Sequence, residues 1–488
     1  MTTIKFTALL LCAAATLTAS ADALTFTKGR LVVAVEGNGV VGATGTYADN
    51  AAAPLSLFEY SHTGTTSAAY TGKIVLPQFA SGRNSAISGE YGSSSEALLQ
   101  RSADGKSLVI AGYGVNAAAF NANPTAYGTA VNDPTKPAAL GQSGSLKGAG
   151  YTPVARVIAR IGTNGSVDTT TALYGVFNGN NPRSVATVDG KSYYISGQGR
   201  SGDTTGGVFY ATGGASSATA ITGLDTNSKT QAQDTRDVQI VGGPGGNQLY
   251  VSVDSKSGSG NNRDFVGTLG TPGALPTTLA NGGNGPAKLA GFGNSGGTGK
   301  LTLTAQTSNG VNTPGKEINL SPESYFFATA SIMYVTDTGQ PKNNSAATSL
   351  GDGGLQKWVK DAGGNWSLAY TLSAGLSLVA NTSASGTTGL FGLAGEVDGG
   401  LVNLYATNYI IGDLGATSIY GITDVLSATT RPTGAATETF VKLATAPNNS
   451  KFQGIAIAPV PEPASWALML TGFAIVGVAA RRRRVVAA

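Results

Sequence analysis

Short runs of apolar residues, separated by Gly, Asn and Asp, recur from residue 24 to residue 459, and long helical periodicity is absent there. Apolar runs bounded by turn residues predict β-strands. Two segments, 103–112 and 188–197, nearly repeat each other, and each places Asp-Gly before an apolar run. Asp-Gly in this setting is a strong hairpin signal, because the turn needs positive φ. The pattern therefore predicts an all-β body.

Self-similar units of several short strands each predict a propeller or a solenoid, and a propeller blade is a four-stranded antiparallel sheet. Three later segments, 249–252, 333–336 and 404–407, share the second half of the repeated pattern. The units are too long for the coils of a β-helix, so a β-propeller is favoured. Its blades after the first are predicted from the strand groups 98–102, 107–112 and 155–162; 184–188, 192–196 and 207–211; 237–241, 249–254 and 265–269; 324–330, 332–337, 355–360 and 366–372; and 390–397, 401–407, 418–425 and 439–444.

The two ends of the body predict how the ring closes. Strands 30–35, 55–60 and 72–76 lack an inner partner, and the strand at 452–458 lacks a blade. Joining them completes the first blade and removes exposed sheet edges, which would otherwise recruit other chains. Six blades are favoured; a seventh would have to lie in a long loop such as 116–150 or 282–314.

The first 23 residues predict a secretory signal peptide. Lys5 precedes an apolar core at 6–17, and Ala21-Asp22-Ala23 supplies an A-x-A cleavage site. The one cysteine, Cys12, lies inside this segment, so the processed chain is expected to have no thiol, no disulfide and no Cys-based metal site.

The stretch 460–488 has three signals in order: Pro461-Glu462-Pro463, an uncharged apolar run at 464–480, and Arg481, Arg482, Arg483 and Arg484. The run is at the lower length limit, about 17 residues, for a transmembrane helix. Arginines favour the cytoplasmic side, so the body is expected outside. A buried core helix is the alternative, but it would not explain four adjacent arginines.

This ordered triple resembles the PEP-CTERM sorting signal of Gram-negative bacteria. The resemblance implies recognition by an exosortase, a membrane protease-transpeptidase, and an association with exopolysaccharide and the biofilm matrix. It also implies export, transient anchoring in the inner membrane, and then a place at the cell surface or in the matrix. The body resembles uncharacterised bacterial β-propeller proteins, notably in the final strand at 452–459 and in the outer hairpin at 355–358 and 365–368.

Charge adds little to this picture. The formal charge of +4 equals the contribution of the four arginines at 481–484, and charged residues make up 12% of the chain. Nucleic-acid binding needs a basic patch on the folded surface, so no nucleic-acid partner is expected.

Candidate chemistry is sparse, and no catalytic, cofactor or metal residue is assigned. His62 is expected in an exposed turn, and a lone histidine makes neither a triad nor a zinc site. Trp358 and Trp366 could stack on sugar rings but are expected to serve packing.

Four carboxylates lie near the starts of inner strands and could therefore approach the channel. Five other residues with side-chain oxygen atoms could hold calcium, although their presence is better explained by turn formation. These are Glu96, Glu317, Glu323 and Glu396 for the channel, and Asp254, Asn261, Asn262, Asp264 and Asp352 for calcium.

Three functions remain open at this level. The leading hypothesis is a non-catalytic binding or structural protein of the cell envelope or exopolysaccharide matrix. The second is an extracellular hydrolase that uses channel carboxylates, because glycoside hydrolysis needs two carboxyl groups that face each other. The third is a scaffold for other proteins, since a propeller hosts many functions.

Overall fold

The structure is a computed structural model. It describes residues 25–38, 47–93, 95–124, 127, 135–141, 150–227, 230–255, 264–293, 300–302, 315, 317–339, 353–380, 383–431 and 438–460. The predicted signal peptide and the predicted transmembrane helix at 464–480 lie outside these ranges. Within them, no helix has both the length and the apolar character needed to cross a membrane.

Almost all regular structure in the described residues is antiparallel β-sheet. The first strands are β1 Leu31–Gly37, β2 Ala52–Thr63, β3 Ser67–Val75, β4 Ser88–Glu90, β5 Gln100–Arg101, β6 Ser107–Tyr113, β7 Ala138–Ala139, β8 Thr152–Pro153, β9 Arg156–Gly162, β10 Val167–Leu173, β11 Pro182–Ala186, β12 Ser192–Gly197, β13 Gly207–Thr212 and β14 Thr219–Ala220. The remaining strands are β15 Thr235–Gly243, β16 Gly246–Asp254, β17 Asp264–Leu269, β18 Ala287–Lys288, β19 Lys300–Thr302, β20 Glu317–Asn319, β21 Pro322–Thr329, β22 Ile332–Asp337, β23 Gly354–Lys360, β24 Trp366–Leu372, β25 Thr387–Asp398, β26 Leu401–Ile410, β27 Ser418–Val425, β28 Val441–Thr445 and β29 Ser450–Ile457. A short helix, α1 Ala117–Ala122, and a 3-10 turn, Asn281–Gly283, interrupt them.

Six four-stranded blades form a β-propeller over the described residues, as the pattern predicts. In order they are β29-β1-β2-β3, β5-β6-β9-β10, β11-β12-β13-β14, β15-β16-β17-β18, β21-β22-β23-β24 and β25-β26-β27-β28. They are called blades 1 to 6 below. The short strand β4 pairs with β2 and with β6 and so joins blades 1 and 2 into one sheet, a link that the sequence does not reveal.

The last strand closes the ring on the first, which confirms the predicted closure. β29 runs antiparallel to β1, with Leu31 opposite Ile457, Val33 opposite Ile455 and Gly37 opposite Ser450. Blade 1 is therefore built from both ends of the body. Within the described ranges every inner strand has a blade on either side, so the edge that closure is expected to protect is covered.

Backbone hydrogen bonds between neighbouring inner segments show that the ring continues from blade 1 through blade 2 to blade 3. The Gly454 amide donates to the Ala97 carbonyl at 3.0 Å, and the Leu98 amide donates to the Arg183 carbonyl at 3.1 Å. A Cβ at position 454 would lie 2.0 Å from the Leu99 nitrogen. Glycine in the closing strand is thus explained by the close approach of blade 2.

The hydrophobic core lies between the blades. Between blades 4 and 5, Trp358 stacks on Phe292 with ring centroids 4.0 Å apart, and Trp366 meets Phe327 edge-on at 5.9 Å. Both tryptophans are buried. Their expected packing role is therefore the one the structure shows, and neither presents a face for sugar stacking.

The strand pattern missed the outer edge of three blades. The outermost strands β10, β14 and β18 were not predicted, and two of them have only two residues each. Because two residues carry no alternation, such strands leave no signal in a sequence.

Candidate functional site

The propeller has two ends with different chemistry. All inner strands run in the same direction, so they begin at one end, which we call the mouth end, and finish at the other, the exit end. Two groups of buried charged side chains lie at the mouth end, and an open cavity lies at the exit end.

Two arginines and their carboxylate partners occupy the mouth end. Arg183, in β11, donates through Nη1 to the Asp234 carboxylate and, at 2.8 Å, to the Thr235 carbonyl. Arg236, in β15, lies 3.7 Å from the Glu323 carboxylate and within 4.0 Å of the carboxylates of Asp234 and Asp254. The group holds two cations and three anions, all buried, so its charges largely neutralise one another.

The carboxylates of this ionic group favour the charged form of its two arginines. Burial alone would lower the pKa of Arg236, but Glu323, Asp234 and Asp254 raise it above its ordinary value. Burial and the neighbouring Arg236 lower the pKa of Arg183, while Asp234 opposes them. These side chains therefore tie blades 3, 4 and 5 together.

A second group, the glutamate cluster, consists of Glu36, Glu90 and Glu96 at the junction of blades 1 and 2. The Tyr113 hydroxyl donates to Glu96 Oε1 at 2.7 Å and to Glu90 Oε2 at 3.4 Å. Gln453 Nε2 donates to Glu36 Oε2 at 3.1 Å, and Glu36 Oε1 has no hydrogen-bond partner among the described residues. All three carboxyl groups are at most 2% exposed.

Burial raises the pKa of carboxyl groups in the glutamate cluster. It raises the pKa of Glu36 to about 7, with Lys451 and Gln453 opposing the rise and Glu90 adding to it. Burial, followed by the charges of Glu90 and Glu36, raises the pKa of Glu96 well above its ordinary value. At least one carboxyl group of the cluster is therefore protonated near neutral pH, since several buried like charges cannot ionise together.

The raised pKa of Glu36 predicts a pH-dependent stability. An acid whose pKa is higher in the folded state favours folding at low pH, and its contribution is lost as the pH rises from 4.5 through about 7. We expect Glu36→Gln to raise the free energy of unfolding at pH 8 by about 2–3 kcal/mol, and to change it little near pH 4.5. Urea titrations at the two pH values measure the difference; the exposed Glu317→Gln is the control, and equal effects of Glu36→Gln at both pH values would contradict the prediction.

A polar layer in mid-channel separates the two ends. The Asp237 carboxylate accepts hydrogen bonds from Gln100 and Ser184 at 2.7 Å, from Gln239 at 2.7 Å and from Ser324 at 2.8 Å. Burial raises the pKa of Asp237 to about 6, although these four donors oppose the rise. Since the donors come from four blades, Asp237 links blades 2, 3, 4 and 5 through hydrogen bonds.

The cavity at the exit end measures about 290 Å³. Residues in or next to the later parts of five inner strands line it. Gln100, Arg101 and Gln239 contribute polar groups, and Phe326 and Phe327 contribute apolar surface. This volume is close to the lower limit of pockets that hold small ligands, about 300 Å³.

Two of the four predicted channel carboxylates lie where they were expected. Glu96 lies four residues before the start of β5, and Glu323 is the second residue of β21, so both lie at the mouth end. Glu317 and Glu396 were placed wrongly: Glu317 is exposed on β20, outside the blades, and Glu396 lies in the far half of β25 at the exit end. Glu36 and Glu90 were missed, because each joins the site only through strand pairing across blades 1 and 2.

His62 is not in an exposed turn, as was expected, but on β2, opposite Ala68. Its Nε2 lies 2.7 Å from the Gly29 carbonyl oxygen, and its Nδ1 lies 2.8 Å from the Tyr405 hydroxyl. The ring packs edge-on against Tyr405, with centroids 4.9 Å apart. His62 therefore connects blade 1 to blade 6.

The calcium hypothesis is only partly covered by the described residues. Asp254 and Asp264 face each other across β16 and β17, whereas positions 261, 262 and 352 lie outside the described ranges. No group of acidic or histidine side chains in the described ranges has the arrangement of a metal site. Asp104 and Asp189 are turn residues, as predicted, and each accepts a hydrogen bond from the backbone two residues on.

The segment that follows the closing strand decides how the chain is sorted. Residues 459–484 match the model of the PEP-CTERM protein-sorting motif. This chain carries a PEP-CTERM motif. The match confirms the resemblance seen in Pro461, Glu462, Pro463 and the arginine cluster. A PEP-CTERM motif implies export, membrane anchoring before processing, and processing by an exosortase.

No curated protein matches the sequence. Several solved structures share part of the strand arrangement. They include an alpha-L-arabinofuranosidase from Lactobacillus brevis (10% identity, 51% of this chain and 68% of that one, TM-score 0.27), a GH32 beta-fructofuranosidase from Bombyx mori in complex with sucrose (10%, 68% and 63%, 0.32) and an alpha-L-arabinanase from Cellvibrio cellulosa (12%, 68% and 92%, 0.29). All three of these proteins are named as glycoside-cleaving enzymes. Such low TM-scores establish neither activity nor substrate.

Proposed function

We propose that this PEP-CTERM protein is an exported β-propeller that binds a small polar ligand, such as a sugar unit of an exopolysaccharide, in its exit-end cavity without transforming it. The observation that carries the proposal is the contrast between the two ends. The exit end is open and lined by both polar and apolar groups, whereas the carboxylates of the mouth end are buried. Saccharides have both polar and apolar faces, and a pocket of this mixed lining suits them.

The proposed location follows from the sorting motif. The chain is exported, anchored transiently in the inner membrane and released by an exosortase to the cell surface or extracellular matrix of a Gram-negative bacterium. Its partners there are exopolysaccharide or envelope proteins. The exported propeller needs neither a cofactor nor nucleic acid for this role.

Filling the cavity tests the binding proposal. Ala103 is exposed at the cavity rim, and Ala103→Trp places an indole across the opening. We expect this change to weaken binding of the exopolysaccharide or its fragments at least about tenfold, as measured by titration calorimetry, since a blocked pocket loses about 1.4 kcal/mol or more. Ala69→Trp, on the exposed outer strand of blade 1, is the matched control. Undiminished binding by Ala103→Trp, or no binding by the unaltered protein, would refute the proposal.

A glycoside hydrolase is the second candidate, and the glutamate cluster favours it. A carboxyl group with a pKa near neutrality can act as a general acid, and Glu36 combines a pKa of about 7 with an oxygen that has no partner in the described structure. The near-complete burial of the cluster places this candidate second. Release of reducing sugar from native exopolysaccharide, lost in Glu36→Gln but kept in Glu317→Gln, would promote it over binding alone.

A further inference from the structure

A buried lysine and a buried aspartate meet between blades 5 and 6. Lys357, on β23, places Nζ 2.8 Å from Asp424 Oδ2, on β27. Both side chains have no exposed surface. The lysine also donates to the Tyr370 hydroxyl at 3.0 Å and to the Val425 carbonyl at 2.7 Å. The amine nitrogen is therefore in direct hydrogen-bond contact with the aspartate carboxyl group.

Two tyrosines enclose this pair. Lys357 Nζ lies 5.5 Å from the ring centroid of Tyr334 and 5.3 Å from that of Tyr370. The Tyr334 hydroxyl donates to Asp424 Oδ2, and the Tyr370 hydroxyl donates to Oδ1 at 2.7 Å. The rings exclude water, and their hydroxyls would stabilise negative charge that develops on the carboxyl oxygens.

A third titratable group touches the pair. The Glu438 carboxyl donates a hydrogen bond to Asp424 and accepts one from the Val425 amide. Burial, followed by the charge of Asp424, raises the pKa of Glu438 to about 8, although Lys357 opposes the rise. Its Oε2 has no hydrogen-bond partner among the described residues. Glu438 is thus a protonated acid at neutral pH, placed to exchange protons with the aspartate.

We propose that Lys357 and Asp424 condense to an amide, forming a side-chain isopeptide bond that joins the third strands of blades 5 and 6. The ammonium group first passes a proton to the Asp424 carboxylate. The freed Nζ lone pair attacks the carboxyl carbon, a C–N bond forms, and one C–O bond breaks. Glu438 gives its proton to the departing hydroxyl and takes one from the nitrogen. An ammonium and a carboxylate thus become an amide and one water, with no change in oxidation state.

The buried surroundings of Lys357 and Asp424 favour an amide bond between them over a permanent ion pair. Two charges that are taken fully out of water lose much hydration, and an amide removes both charges at once. The chain has one cysteine, Cys12, which lies ahead of the propeller, so disulfides cannot link the blades. An isopeptide bond would supply the covalent link that exported proteins commonly draw from cystine.

Peptide mapping by mass spectrometry on the full chain tests the proposal. We expect the peptides that contain Lys357 and Asp424 to be recovered as one branched species, lighter than their sum by one water. In Lys357→Arg the branched species should be absent, and in Glu438→Gln its yield should fall at least about tenfold, because tenfold corresponds to about 1.4 kcal/mol in the barrier. Lys442→Arg, on the exposed strand β28, is the control and should retain the full yield.

The test is decisive even where a variant folds poorly, because the main readout is on the unaltered protein. Recovery of Lys357 and Asp424 in separate, unmodified peptides from cooperatively folding protein would overturn the proposal and leave a plain buried ion pair. Full yield of the branched species in Glu438→Gln would overturn the proton-transfer role of Glu438.

Discussion

Ile455→Asp is expected to abolish the cooperative unfolding of the propeller at room temperature. Ile455 is 1% exposed and lies opposite Val33 where the two ends of the body meet. It packs in one apolar cluster with Leu31, Phe58 and Tyr405 from blades 1 and 6. A carboxylate there has no cationic partner within the cluster, and such a change costs more than about 4 kcal/mol, a large part of the stability of a typical domain.

Urea denaturation followed by tryptophan fluorescence measures this loss. The matched control is Ala69→Asp, which places the same charge on the exposed outer strand of the same blade and should change stability by no more than about 0.5 kcal/mol. If Ile455→Asp unfolds at the same urea concentration as the unaltered chain, the closing strand does not hold the ring together.

Lys357→Met should lower the free energy of unfolding by about 3–5 kcal/mol, because it leaves the Asp424 carboxylate buried without its cation. Methionine has nearly the same length and packs against Tyr334 and Tyr370, so lost volume contributes little. Any covalent bond between Lys357 and Asp424 would be lost as well and would add to the effect. Guanidinium titrations monitored by circular dichroism provide the measurement.

Two further variants isolate the charge effect at this site. Lys360→Met, on the same strand, removes a half-exposed cation that lies 5.4 Å from the Trp366 ring, and should cost about 1 kcal/mol or less. Adding Asp424→Asn to Lys357→Met removes the stranded charge and should recover part of the loss. A double variant as unstable as Lys357→Met alone would show that charge is not the cause.

The blades could be predicted from the sequence because their signals are local. An Asp-Gly turn such as Asp189-Gly190 precedes its strand directly, and the alternation within a strand needs only a few residues. Closure was also predictable, since 452–458 had no blade and 30–35 had no inner partner. The two-residue strand β14 left no pattern to detect.

The side-chain groups could not be predicted, because they depend on how one blade is rotated against the next. Glu36 and Glu90 are separated by 54 positions, and the bridging strand β4 brings them together. Lys357 and Asp424 are 67 positions apart and meet only where blades 5 and 6 pack. Inner-strand starts did indicate Glu96 and Glu323, since the beginning of such a strand always lies at the mouth end.

The position at which the chain leaves the closing strand β29 determines which end of the propeller would face the membrane before exosortase cleavage. The Val460 amide donates to the Gly105 carbonyl at 2.9 Å, in the turn beside the exit-end cavity. If the motif after Val460 anchors the chain, it would pull on this face, and we expect the cavity to face the bilayer and the glutamate cluster to face away from it. Cleavage by the exosortase would then do more than free the protein, because it would uncover the cavity to bulky polymers.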